Sequence, residues 1–305
     1  MELVINQAAV GQYYSEFLLQ TEVARNWPVL PDREVLPSTA AGTSEESFRY
    51  FPGHLPILLS MPHNGTCIPN DIATTMTTQA RQVRDTDWFL QVLYDFALKM
   101  GCHVITPLYS RYVIDLNRPE TDESLYPGAN VTELCPSTQF DLKPIYQHGG
   151  TVSKVEQQRR VERYWRPYHQ ALQQTLDALA SQHEQVLLFE AHSIASVVPR
   201  FFSGQLSDFN FGTNDGASCT AAISDFLAQF SAEPYSQVCN GRFKGGYITR
   251  AYHDATRGIS SVQLELSQRT YLDEKTARYD SKAAAAVQKV LQNLIVGLLE
   301  TIQAK

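Results

Sequence analysis

From residue 55 onward the chain alternates short apolar runs with stretches of helical period. The short runs read as strands: Leu55–Met61, then "CHVITPLYS", "RYVIDLN", "QVLLFEAHS" and "SSVQLELSQ". Residues 85–100, "DTDWFLQVLYDFALKM", place Phe89, Val92, Leu93, Phe96 and Met100 on one face. This predicts a helix capped by Asp85 and stopped by Gly101. A longer helix opens at a Ser153–Glu156 capping box. Pro167 lies inside it, yet Val161, Trp165, Tyr168, Leu172 and Leu176 keep one phase across the proline, so a kink is expected and not a break. Residues 280–303 close the chain as an amphipathic helix. Such alternation predicts an α/β fold, a central parallel or mixed sheet with helices on both faces. In these sheets ligands gather beyond the carboxyl ends of strands.

Four of the strand-like runs carry polar groups where burial is costly without a partner. The first ends in "MPHNG" with His63, the third in Asp115-Leu116-Asn117-Arg118, the fourth in Glu190-Ala191-His192-Ser193, and the last holds Glu265. Each alone has an ordinary structural explanation; together they propose one cleft. Two neutral imidazoles from separate strand ends, with one carboxylate, can bind a divalent metal and leave a position for water, the pattern of catalytic zinc. Asp85, Asp87 and Glu190 are the candidate carboxylates. Glu190 lies two residues from His192 on the same strand face, so it serves as a ligand or fixes a histidine tautomer. Arg118 and Asn117 offer a planar fork and an amide to a carboxylate substrate, with Arg111 as a second cation. Glu265 beside a metal-activated water would act as general base.

Length and composition narrow the class. A chain of 305 residues, 43% hydrophobic, supports a large core. No linker separates two units, so a single domain is expected, with residues 1–53 as an N-terminal extension packed on it. The net charge of −7 and the lack of a basic block argue against nucleic-acid partners. Five scattered cysteines without CxxC pairing argue against a disulfide framework. The N-terminal stretch has no basic region followed by an apolar core, and no run approaches ~18 apolar residues, so neither a signal peptide nor a membrane span is expected. The cytoplasm is the expected compartment.

The series "SMPHNGTCIP", "DTDWFLQVLYD", "SRYVIDLNRP", "FEAHS", "NGRFKGGYITRAY" and "VQLELSQRTYL" resembles the N-formylglutamate amidohydrolase family over roughly residues 55–275. The resemblance implies a three-layer α/β/α fold of the phosphorylase/hydrolase type with a mixed sheet, related to zinc carboxypeptidases. It implies hydrolysis of N-formyl-L-glutamate to L-glutamate and formate, in histidine degradation, with about one zinc per chain. By the same resemblance His63 and His192 are metal ligands, Asn117-Arg118 grips a substrate carboxylate, and Glu265 is the base. Carboxypeptidases place a glutamate ligand three residues after the first histidine, but here that residue is Thr66. The third ligand must come from elsewhere, and Asp87 is chosen ahead of Asp85. The substrate is a small dicarboxylate, so more cations are expected from Arg242, Lys244 and Arg250, with Arg250 preferred. Arg111 is expected to help stabilise the oxyanion. An amidohydrolase for other N-acyl amino acids and a metal-free carboxylate-binding protein are the competing expectations.

Overall fold

The computed structural model describes residues 47–123 and 131–304. Seven strands form one mixed sheet: β1 (Phe48–Phe51), β2 (Ile57–Ser60), β3 (His103–Pro107), β4 (Val186–Ile194), β5 (Phe209–Gly212), β6 (Gln237–Cys239) and β7 (Ile259–Ser267), in the order β1-β3-β2-β4-β7-β5-β6. The central strands β3, β2, β4 and β7 run parallel, while β1 joins β3 and β5 joins β7 in antiparallel fashion. Every residue of β4 and β7 is buried. That is what a strand covered on both faces shows, and it explains why these runs read as nearly continuous apolar segments. A small hairpin, β8 (Leu272–Asp273) and β9 (Arg278–Tyr279), lies apart from the sheet.

The helices are α1 (Asn70–Ala73), α2 (Leu90–Leu93), α3 (Asp95–Met100), α4 (Lys154–Arg160), α5 (Arg166–Ala180), α6 (Ala221–Gln229), α7 (Tyr247–Ala251) and α8 (Ser281–Gln303). They occupy both faces. Ser60 pairs in register with Glu190, so the two share a face, and Ser60 Oγ bonds the Tyr168 hydroxyl of α5. The neighbouring Phe189 points the other way and meets the ring of Tyr94, between α2 and α3. On that second face Gln288 of α8 donates to the Val92 and Leu93 carbonyls. The expected α/β architecture and its layers are therefore present.

Three local expectations are corrected. "RYVIDLN" is buried but forms no strand; its Val113 and Asp115 amides bond Ser110 O and Leu134 O instead of a ladder. A short apolar run shows burial, not pairing. The helix expected over 85–100 starts only at Leu90, after Phe89 at φ 60°, and is interrupted at Tyr94. Asp85 is not its cap, because its carboxylate accepts from the Tyr112 hydroxyl and the Phe140 amide. Tertiary bonds to the turn before Leu90 override its helical propensity, while Gly101 at φ 97° ends α3 as expected. Residues 48–51, placed in the extension, supply the edge strand β1, with Phe51 in the core; residues 1–46 lie outside the described residues. Ser153 caps α4 through the Glu156 amide, and a π turn, Val161–Trp165, precedes Pro167 in the first turn of α5.

Candidate active site

The parallel arrangement sends the carboxyl ends of β2, β3, β4 and β7 to one edge of the sheet. His63 follows β2, the Arg111–Arg118 segment follows β3, His192 is near the end of β4, and Glu265 is near the end of β7. His192 and Glu265 are register partners. Asp87 arrives from the turn before α2, where its amide donates to His63 O. A cleft of about 680 Å³, counting the space open at its mouth, is lined by His63, Asp87, Arg111, Asn117, Arg118, His192, Arg242 and Glu265, with Phe140, Phe201 and Phe243 among its apolar walls.

One ligand atom from each of His63, Asp87 and His192 lies within 4.8 Å of the other two, and all three residues are buried. His192 Nδ1 is 3.1 Å from Asp87 Oδ2, and His63 Nδ1 is 3.9 Å from the same oxygen. Each imidazole is backed at its far nitrogen by a buried carboxylate: His63 Nε2 by Asp115 Oδ1 at 2.6 Å, His192 Nε2 by Glu190 Oε1 at 2.7 Å. A carboxylate at Nε2 orients each ring and turns its Nδ1 toward Asp87, the outer-shell arrangement of histidine metal ligands. Two imidazole nitrogens and one carboxylate are also the donor set of catalytic zinc, so these residues could hold a metal ion. Thr66 takes no part; its amide bonds Leu108 O.

The outer carboxylates are themselves fixed. Glu190 Oε2 accepts from both the amide and the hydroxyl of Thr249 in α7. Asp115 Oδ2 accepts from Arg111 Nη2 at 2.7 Å and Oδ1 from the Asn117 amide. Burial alone would raise the Asp115 pKa, but His63 and Arg111 hold it well below the usual carboxylate range. Burial and Arg111 lower the His63 pKa, which keeps the ring neutral, as a ligand must be. His192 is raised well above its ordinary value: burial opposes this, but Glu190 and Asp87 outweigh it. The same two carboxylates attract a proton or a cation, so metal binding there would release a proton.

Glu265 is buried, and that burial, with help from the Asp87 charge, pushes its carboxyl up to about 8. Arg111 lies under the Phe140 ring with Nη1 4.0 Å from Asp87 Oδ1. Arg118 donates to Thr132 O, and Arg242 to Phe201 O. Asn117 reaches the cleft with its oxygen held by the Ile248 amide and its nitrogen 3.1 Å from His192 Nε2. A side chain at Gly246 would collide with the Asn117 side-chain amide, which accounts for a glycine in "KGGY". Arg250 is not among the cleft residues; its Nε donates to Gly245 O, and Lys244 pairs with Asp215 at the surface. The cation that "NGRFKGGYITR" contributes to the cleft is Arg242. Asp85 stays outside the metal-ligand group, and Glu190 stands behind His192.

Sequence reasoning gave no role to Asp115, although it stands in the quoted "VIDLNR". It also missed Gln268 and Tyr271, which fasten the turn carrying Asp87. Gln268 Nε2 donates to Thr86 O, and the Tyr271 hydroxyl donates to Trp88 O. The only sequence signal for these was polar residues following a buried strand.

The profile of the N-formylglutamate amidohydrolase family matches residues 55–272. A Pseudomonas putida protein named N-formylglutamate deformylase is 46% identical over 250 residues, which is 81% of this chain and 93% of that one. A Pseudomonas aeruginosa protein of the same name is 43% identical over 258 residues, 84% of this chain and 97% of that one. The crystal structure of an N-formylglutamate amidohydrolase from Ralstonia eutropha JMP134 superposes with a TM-score of 0.71 at 26% identity, covering 84% of this chain and 98% of that one. An Agrobacterium tumefaciens gene product shares the fold with a TM-score of 0.63 at 16% identity, over 83% of this chain and 96% of its own. By its profile match and its identity to these relatives, the chain belongs to the N-formylglutamate amidohydrolase family.

Proposed function

We propose that the chain is a metal-dependent amidohydrolase that converts N-formyl-L-glutamate and water to L-glutamate and formate. The observation that carries this reading is the His63–Asp87–His192 group beside Glu265 in a cleft lined by three arginines. A net-negative chain that places Arg111, Arg118 and Arg242 in one cleft is suited to an anionic ligand. The relatives named N-formylglutamate deformylase supply the substrate.

His63, Asp87 and His192 would hold the metal, zinc in this reading; when bound, it supplies Lewis acidity to a carbonyl oxygen and lowers the pKa of water. Arg118 and Arg242 bind substrate carboxylates and Asn117 helps to orient the formyl group, a proximity contribution. Glu265 takes a proton from water as its oxygen attacks the formyl carbon. It delivers that proton to the amide nitrogen as the carbon–nitrogen bond breaks. Arg111 stabilises the oxygen that gains negative charge. The phenylalanines in its walls limit water in the cleft.

The cellular setting in this reading is histidine breakdown in the cytoplasm. All five cysteines are free, which fits a reducing compartment. No helix among the described residues is long and apolar enough to cross a membrane. The test is formate release from N-formyl-L-glutamate by zinc-loaded protein, with N-acetyl and longer N-acyl glutamates and aspartates as comparison. Preference for a longer acyl group, or full activity in metal-stripped protein or in His63→Ala, would overturn the reading.

A further inference from the structure

The segment Arg111–Arg118 carries Asp115, Asn117 and Arg118 to the site but belongs to no strand or helix. Three of its carbonyl oxygens are instead taken by side chains of one neighbouring helix. Arg160 Nη1 donates to Val113 O at 3.0 Å, Trp165 Nε1 to Arg118 O at 2.9 Å, and His169 Nε2 to Leu116 O at 2.9 Å. With Nε2 donating, His169 Nδ1 accepts from the Tyr252 hydroxyl at 2.7 Å. The imidazole stacks on Trp165 with ring centroids 3.7 Å apart. Burial lowers its pKa to about 3, so the ring stays neutral and keeps this tautomer.

The spacing of these side chains needs an explanation. In a regular α-helix, residues five apart point about 140° away from one another. Arg160 and Trp165 nevertheless reach the same segment. Between them lies the π turn Val161–Trp165, whose wider turn takes up one extra residue. His169 then follows Trp165 by an ordinary i,i+4 step. Pro167 lacks the N–H that would close a regular turn here, which accounts for the position of the π turn.

We propose that the π turn sets the register of a three-point latch, Arg160, Trp165 and His169, that positions the Arg111–Arg118 segment and, through Asp115, the imidazole of His63. None of the three is among the residues lining the cleft, so they are positioning residues. The consequence for metal and substrate rests on the proposed function; the latch itself does not.

Trp165→Phe keeps the stacked ring and removes one N–H. In metal-free protein, amide hydrogen exchange at Asp115 and Asn117 is expected to quicken about tenfold while amides of β4 and β7 keep wild-type protection. Zinc affinity is expected to fall about tenfold, as for loss of an outer-shell partner. His169→Phe is expected to act the same way, and His169→Gln, which retains an amide donor, to lie closer to wild type. Unchanged exchange at Asp115 and Asn117 together with unchanged zinc affinity in Trp165→Phe would overturn the latch, whatever happens to its melting temperature. If wild-type protein binds no zinc and releases no formate, the functional reading fails, and the exchange data still decide the latch.

Discussion

Asp115→Asn tests the site more sharply than removal of a ligand, because it changes one oxygen of a buried carboxylate that touches two functional groups. Asp115 is fully buried, with one oxygen 2.6 Å from His63 Nε2 and the other 2.7 Å from Arg111 Nη2. Asparagine keeps the shape but loses the charge, and its amide nitrogen must face one of two donors. If it faces His63, the imidazole loses the acceptor that holds its proton at Nε2. Loss of such a partner typically lowers metal affinity 10–100-fold, or about 1.4–2.7 kcal/mol. Arg111 also becomes a buried cation whose next carboxylate, Asp87 Oδ1, is 4.0 Å away. Breaking a buried pair costs about 3–5 kcal/mol, and the retained amide oxygen places this change near the lower end. A domain with roughly 5–15 kcal/mol of stability survives that loss. Zinc affinity is measured by competition with a chelator, and stability by urea unfolding of metal-free protein. A zinc Kd within about twofold of wild type, with stability lowered by less than about 1 kcal/mol, would show that Asp115 neither orients His63 nor offsets Arg111.

Glu265→Gln is expected to lower kcat by about 10²–10⁴ with little change in KM, as loss of a general base does; a KM effect alone would make Glu265 a binding residue. Burial pushes the Glu265 carboxyl up to about 8, a bound cation pulls it down, and a base must be ionised to act. The rising limb of kcat/KM against pH should therefore fall between about 4.5 and 8, with activity lost on acidification, and should vanish in Glu265→Gln. His169 is buried and held down to about 3, so neither state carries its proton above ~6.5, while below that the unfolded chain gains one that the folded chain refuses. Stability should fall by about 1.4 kcal/mol per pH unit from this group, about 2 kcal/mol by pH 5, and urea unfolding of His169→Gln at pH 7 and pH 5 should show a shallower decline. Arg118→Ala or Arg242→Ala should raise KM for N-formyl-L-glutamate more than it lowers kcat; equal KM values in wild type and both variants would remove these arginines from substrate binding. Chelation should abolish formate release and added zinc restore it.

Much of this architecture is legible in local pattern. The apolar runs that became β2, β3, β4 and β7, the 280–303 helix and the phase kept across Pro167 follow from periodicity, because burial on both faces demands apolar side chains whatever surrounds them. The polar groups at the ends of those runs could be located for the same reason, since a histidine or carboxylate in an apolar stretch requires a partner. What could not be read was which partner. Asp87 and Asp85 differ by two positions, and only the turn bent by Gln268, Tyr271 and the His63 carbonyl sends Asp87 to His192 and Asp85 to Tyr112. Glu190 could serve as ligand or support until its oxygens were found on His192 Nε2 and Thr249. "RYVIDLN" reads as a strand by composition, and Arg250 reads as a better cation than Arg242, because neither pairing nor side-chain direction leaves a local trace. The sequence by itself determined the α/β layers and the residue types available for chemistry. The tertiary structure decided which atoms meet, because contacts such as His63 with Asp115 and Trp88 with Tyr271 join residues 52 and 183 positions apart and depend on strand order, on the π turn and on the carbonyls it lets the helix hold.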